Sequence, residues 1–351
     1  MKFPVSALAS ISSAVMMMGI WSNTINEIES FQFGNLPRNK NLSLYRKRSV
    51  LSVSTTESNS KAQNDVLNDL SSGIDFINFV SVSDQNTLME NALKDAREIY
   101  LRRVAQGEVK PGKGEDRLVG INEEVVEEVG HALGNFSELI EDETILQRTA
   151  AYLRSQSKPG YFKPIIQTTD NLSTMEFTSE EISKYDSLLQ KAYQESGEVT
   201  EAFAKTFYLG TTLLPRAAQD AIWAIYVWCR RTDEIVDAPR NLGSDELNNA
   251  AMLQDLAAWE LRLERLWEYG EVIDVYDLPL LDVRKNYPDL QIIPFVDMIR
   301  GMLMDIPKLG VERYSEWEEL HLYCYRVAGT VGLMSMPIFG TKKGVTVEDA
   351  T

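Results

Sequence analysis

The sequence predicts an all-α fold, and three observations predict it. Apolar residues recur at three- and four-residue spacing through most of the chain after residue 86. Few stretches alternate with period two, and no Val/Ile-rich set of strands with regular turns is present. From about Asn86 the first stripe is Leu88, Ala92, Leu93, Ala96, Ile99 and Tyr100. Pro111 and three glycines break the pattern between Lys110 and Gly120. Glu123–Ser155 is helical again, with Val125, Val126, Val129 and Leu133 on one side and Leu139, Ile145, Ala150 and Leu153 later, and Pro159-Gly160 ends it. Further helices are predicted over 178–195, 198–212, 216–237, 248–270, 291–305 and 316–339, with Pro215, Pro239, Gly243, Pro279, Pro288 and Gly310 in the connectors. This divides the chain into an N-terminal segment 1–50, a Ser/Asn/Asp-rich linker 51–85, a variable helical extension 86–177 and a helical domain 178–351.

Composition removes several classes of function. The 351 residues carry 52 Asp and Glu against 35 Lys and Arg, a formal charge of −17. That balance argues against a nucleic-acid partner, because neutralising phosphates needs a basic face. Two cysteines exclude a disulfide scaffold, and two histidines exclude a multi-histidine zinc site. Carboxylates in such number point to hard cations if a metal is bound. Residues 1–50 differ: six Lys/Arg face only Glu27 and Glu29. There an apolar, Ser-interrupted stretch from Phe3 to Trp21 precedes a basic Ser/Asn-rich segment. An apolar core followed by a basic, acid-poor tract reads as a signal plus transit peptide, an address for plastids enclosed by extra membranes. The stretch is short and Ser-rich for a membrane span.

The most informative helix is Ala221-Ile-Trp-Ala-Ile-Tyr-Val-Trp-Cys-Arg-Arg-Thr-Asp-Glu-Ile-Val-Asp237, set between Pro215 and Pro239. At about 100° per residue, Tyr226, Arg230, Asp233 and Asp237 fall within a stripe of roughly 60° bordered by Ile222, Trp223 and Cys229. The acids thus extend an apolar face. Asp65 and Asp69 have the same spacing without any apolar stripe, and exposed acids at i, i+4 are common on solvated helices. Two inward carboxylates about 6 Å apart repel by roughly 3 kcal/mol at an effective dielectric near 20, so such a pair needs a cation. Magnesium suits oxygen donors and bridges carboxylate to phosphate. Asp233 and Asp237 are the candidate ligands.

Four blocks in consistent order resemble the squalene/phytoene synthase family. Tyr226-Val-Trp-Cys-Arg-Arg-Thr-Asp-Glu-Ile-Val-Asp237 resembles its first aspartate-rich motif, and Ala204-Lys-Thr-Phe-Tyr-Leu-Gly210 its opening helix. Phe295-Val-Asp-Met-Ile-Arg-Gly-Met-Leu-Met-Asp305 is similar to its internal helix motif, and Tyr323-Cys-Tyr-Arg-Val-Ala-Gly-Thr-Val-Gly-Leu-Met334 to its glycine-containing helix. The resemblance covers roughly residues 195–340 and implies an isoprenoid-synthase-type helix bundle. It implies head-to-head condensation of two allylic diphosphates, which in the branch nearest these blocks are two molecules of geranylgeranyl diphosphate joined through prephytoene diphosphate.

The same resemblance assigns roles. Asp233 and Asp237 would hold Mg2+, with Mn2+ as the alternative ion, on the diphosphate; Arg230 and Tyr226 would face it. Thr206 and Phe207 match positions near the substrate, although Phe207 also reads as a packing residue. Tyr323 matches a tyrosine of the cation-rearrangement and proton-transfer steps; a tyrosine on an apolar helix is otherwise core with a satisfied hydroxyl. Val327 and Val331 follow it at helical spacing beside Gly329 and Gly332, which suits a slot for prenyl chains and equally close helix packing. Arg326 lies about 60° off that line, and Asp305, at the end of an apolar helix face, reads either as a further acidic neighbour of the metals or, the simpler reading, as a solvated helix end. No G-x-G-x-x-G loop and hence no nucleotide cofactor is expected. Peripheral membrane association is expected because substrate and product are long hydrocarbons; no oligomeric state is predicted.

The family's second aspartate-rich motif has no counterpart after Gly340. Thr346 and Asp349 resemble the start of a capped helix with no apolar run behind it. The expectation is therefore a chain cut before that motif, a bundle incomplete at its C-terminus, and a polypeptide with little activity by itself. Two other readings fit the residues: a squalene synthase-like prenyltransferase, which would need a reductant, and a non-catalytic relative acting in assembly or binding.

Overall fold

The computed structural model describes residues 82–106, 143–165, 175–237, 243–306 and 317–340. The expected presequence, the linker through residue 81 with Asp65 and Asp69, most of the helix expected over 123–155, and the capped start at Thr346 lie outside the described residues. Among the described residues every regular element is helical: α1 Val82–Gln106, α2 Glu143–Ser155, α3 Ser179–Phe203, α4 Lys205–Thr211, α5 Arg216–Asp237, α6 Asp245–Tyr269, α7 Asp277–Asn286, α8 Ile293–Leu303, α9 Trp317–Cys324 and α10 Thr330–Phe339, with a π-helical turn, Tyr325–Gly329, between the last two.

Local chemistry sets most of the ends. At α3, the Thr178 hydroxyl accepts from the Glu181 amide at 3.3 Å and the Glu181 carboxylate accepts from the Thr178 amide at 2.9 Å, a reciprocal cap. Ser244 caps α6 by accepting from the Leu247 amide, and Gly270 ends it at φ 64°, a left-handed turn that suits glycine. The helix α1 begins four residues before the expected boundary at 86.

The extension helices are docked on the later ones. Met89 and Leu93 of α1 are buried, and α1 is tied to α6 and α8 through Arg97–Glu264 at 2.5 Å and Glu90–Arg300 at 2.8 Å. From α2, Arg148 donates to the Tyr185 hydroxyl and to Glu181 of α3. The centre is aromatic: Trp228 of α5 stacks on Trp259 of α6 at 5.9 Å and meets Phe295 of α8 edge-on at 4.8 Å, while Trp267 closes on Phe295 at 5.2 Å. Such rings bury large apolar areas in fixed relative geometry. They fix one side of α5, and the acid-bearing stripe lies on another.

Three boundaries differ from the periodicity. The break expected near 196–197 falls instead at Ala204, because Gly197 is a contact residue: a Cβ there would lie 2.6 Å from the Trp223 ring, so its absence lets α3 and α5 approach. Asp277–Asn286 is a helix, although Pro279 marks the stretch as a connector in the sequence; Pro279 sits in the first turn, where no intrahelical N–H is lost. The long helix expected over 316–339 contains the π turn, an inserted residue that rotates the faces on its two sides relative to one another.

Candidate active site

The site is built on the second half of α5. Phe207 of α4 is buried and stacks on Tyr226 at 5.5 Å between ring centres. One turn on, the Arg230 guanidinium lies 4.7 Å from the centre of the Phe203 ring and ion-pairs with Glu234 on its own helix. Cys229 is buried with its sulfur 3.8 Å from that of Met334, so α10 packs beside the turn that carries Asp233. Burial raises the Tyr226 hydroxyl above its ordinary range; Arg230 opposes that and Asp233 adds to it.

Three carboxyl groups converge electrostatically here. Asp233 is pushed up to about 7, first by burial, against the pull of Arg230, and further by the charges of Asp237 and Asp305. Asp237, at the last and more open turn of α5, is also raised by burial, with Arg230 again opposing. Asp305 follows α8 and is pushed up to about 6 by burial and by Asp237, against a hydrogen bond from Tyr323. The expectation of a solvated helix end at Asp305 is thus corrected: it is half-buried between the buried Met304 and Ile306, and the buried Tyr323 hydroxyl donates to its Oδ1 at 2.9 Å. Its Oδ2 is buried and accepts no hydrogen bond. An acid flanked on both sides by core residues was the signal that could have flagged it.

A buried carboxylate oxygen without a donor and acids raised by mutual repulsion are what a divalent cation would relieve. Among the described residues no set of three or more His, Cys, Asp or Glu is arranged to hold a metal by itself. The donors therefore fit magnesium as that ion is commonly bound beside phosphates, through one or two carboxylates with the remaining positions filled by water and substrate oxygens.

The other expected residues divide. Tyr323 joins the acids through Asp305. Val327 and Val331 are half-buried, and Val327 lies against α8: a Cβ on Gly301 would sit 3.1 Å from its Cγ1. A Cβ on Gly332 would meet nothing within 4 Å, whereas one on Gly329 would meet the Tyr325 ring of its own helix at 3.2 Å. Thr206 is exposed on α4, apart from the inward Phe207. Arg326 is buried and directs Nη1 to the Arg300 carbonyl at 3.4 Å and the Met304 sulfur at 3.7 Å, toward α8.

Comparison with known proteins finds relatives for the C-terminal part of the chain. The squalene/phytoene synthase family model matches residues 200–351. The 15-cis-phytoene synthase of Synechococcus elongatus is 54% identical over 152 residues, 43% of this chain and 46% of that protein. The chloroplastic phytoene synthase of Cucumis melo and phytoene synthase 1 of Arabidopsis thaliana are each 51% identical over 156 residues, 44% of this chain and 34% of theirs. The chain thus spans about a third to a half of the length of the curated relatives it matches. A crystal structure of a dehydrosqualene synthase in complex with ligand is 30% identical, covering 43% of this chain and 48% of that one at a TM-score of 0.36. The matched residues 200–351 hold all four sequence blocks and the acid-bearing end of α5, and over them the chain is similar to the squalene/phytoene synthase family.

Proposed function

We propose that this chain carries the first aspartate-rich part of the machinery that condenses two molecules of geranylgeranyl diphosphate head to head to give phytoene, the first step toward carotenoids, in a plastid and at a membrane surface. The observation that carries the reading is the set Asp233, Asp237 and Asp305, gathered around one end of α5 with their carboxyls raised, within the family's own aspartate motif and beside it.

The chemistry is ionisation of an allylic carbon–oxygen bond. Magnesium held by Asp233 and Asp237 would neutralise the leaving diphosphate. Arg230, on the same stripe, has a buried Nε without a partner and offers it to a diphosphate oxygen. The stacked Phe207 and Tyr226 exclude water from a developing allylic cation and present π faces to it. Asp305 orients the Tyr323 phenol by accepting its hydrogen bond, which places a proton donor and acceptor together for the rearrangement and proton-loss steps. Val327 and Val331, with the open side of Gly332, give the hydrocarbon tails an apolar flank.

The test is magnesium-dependent binding of geranylgeranyl thiodiphosphate, followed by product analysis with the natural substrate, with and without NADPH. Binding lost on removing magnesium and in Asp233→Asn is expected, with little turnover by the chain alone and phytoene, not a reduced product, as what turnover there is in both conditions. Metal-independent binding, or no binding, overturns the proposal.

A further inference from the structure

Residues 202–219 contain no Asp or Glu in a chain that has 52, and their only charges are Lys205 and Arg216. The same stretch holds Phe203, Leu209 and Leu213, three of the six large hydrophobic side chains exposed among the described residues; the others, Leu101, Ile293 and Trp317, lie far from them in sequence. Leu213 is 82% exposed and Leu209 55%.

The geometry of α4 explains how this is possible. Its inward face is clamped: Phe207 stacks on Tyr226, Tyr208 stacks on Trp223 at 5.4 Å, and the Trp223 indole N–H donates to the buried Thr211 hydroxyl at 2.9 Å. Leu209 is two positions from Phe207, about 200° around the helix, and Leu213 is one turn beyond Leu209. The segment therefore buries one apolar face on α5 and exposes Leu209, and Leu213 just past the helix end, on the other side. Large apolar side chains exposed beside a basic residue, on a short element whose other face is buried, suit an interface.

We infer that residues 203–213 are the element that seats this protein on a lipid bilayer, Leu209 and Leu213 entering the headgroup–acyl boundary of an anionic membrane. Charge favours lipid over a protein occupant of ordinary polarity. A chain of net charge −17 is repelled by an anionic surface everywhere except where acids are lacking, and here Lys205 is exposed and unopposed within its segment, while Arg216 is held against Asp220 at 2.9 Å. None of the helices is long and apolar enough to cross a membrane among the described residues, so attachment of this kind is peripheral. The surface deepens the proposed function and rests on it for its purpose: Phe207, on the other side of the same short helix, lines the proposed site, so a prenyl diphosphate leaving the bilayer there would have one helix to pass.

The test is co-sedimentation with phosphatidylcholine–phosphatidylglycerol vesicles, comparing the chain with a Leu209→Glu/Leu213→Glu double variant. Both side chains are exposed, so the variant should unfold at the same temperature. Wild-type binding that falls about tenfold or more in the variant is expected, since affinity follows buried apolar area. Absence of vesicle binding, or equal binding by the variant, overturns the inference. So does light scattering that shows a dimer for the wild type and a monomer for the variant, because a second copy would then cover this face. Binding of the thiodiphosphate analogue is measured in parallel: its loss with vesicle binding intact sinks the catalytic reading and supports the surface.

Discussion

Replacing Asp233 by Asn should make the metal-free chain more stable at pH 8. The carboxyl stands at about 7 in the folded chain and near 3.9 in an unfolded one. Between those values the folded state binds more protons than the unfolded state, so stability falls as pH rises through the window from about 4 to about 7. Fully expressed, a shift of this size sets about 4 kcal/mol against the charged form. Asp233 is half-buried rather than sealed, and water reaching it leaves about 2 kcal/mol. For a helical unit of this size that corresponds to a melting temperature about 4–8 °C higher for the variant at pH 8. At pH 4 or below, where both states carry the proton, the two proteins should converge.

Thermal unfolding measured by circular dichroism across pH 4–8, with chelator present, tests this. Adding magnesium and inorganic diphosphate should then reverse the order at pH 8, because a ligand that binds the folded wild type stabilises it by mass action and should leave the variant unmoved. A variant that is less stable than wild type at pH 8 without metal, or a difference that does not shrink on acidification, would refute the assignment of Asp233 to a strained carboxylate site.

Two further substitutions test the scaffold. Arg231, two positions before Asp233 and so on the far side of α5, is buried between Trp259 and Tyr276 and pairs with Asp274 at 2.5 Å; burial would push Asp274 up, and Arg231 with Arg262 holds it below the usual carboxylate range. Arg231→Met leaves the half-buried Asp274 with Arg262 but without its second cation and should cost about 1–3 kcal/mol in urea unfolding, no measurable loss being incompatible with the network. Gly197→Ala forces a methyl to 2.6 Å from a Trp223 ring pinned by Thr211, Tyr208 and Arg216. Overpacking of about 1–3 kcal/mol should outweigh the helix-propensity gain of at most about 1 kcal/mol, and a higher melting temperature would show that the α3–α5 contact yields.

Gly197 also marks where a sequence stops being legible. A glycine inside a helical pattern signals either a break or a close approach, and only the partner decides which. Trp223, the partner, is visible as a core residue of another helix, but nothing in the spacing of either helix brings the two together. Pro279 misleads for a local reason that can be weighed: proline forbids a helix interior and tolerates a first turn, so its position relative to Asp277 matters more than its presence. The helical class and the stripe Tyr226, Arg230, Asp233 and Asp237 are readable because both are properties of a single element repeating at its own period.

The acid after α8 requires more than one element. Read alone, Asp305 closes an apolar helix and belongs in water. What ties it to the site is the Tyr323 hydroxyl, brought from another helix, together with the charge of Asp237 at the end of α5, which raises its carboxyl further. Tyr323 and Val327, four residues apart, meet Asp305 and Gly301, which are also four residues apart, so the two segments run antiparallel along one line of contact. The division of labour proposed for the site, polar chemistry at Tyr323 and hydrocarbon packing beyond it, thus comes from the register between two segments, and its origin is tertiary.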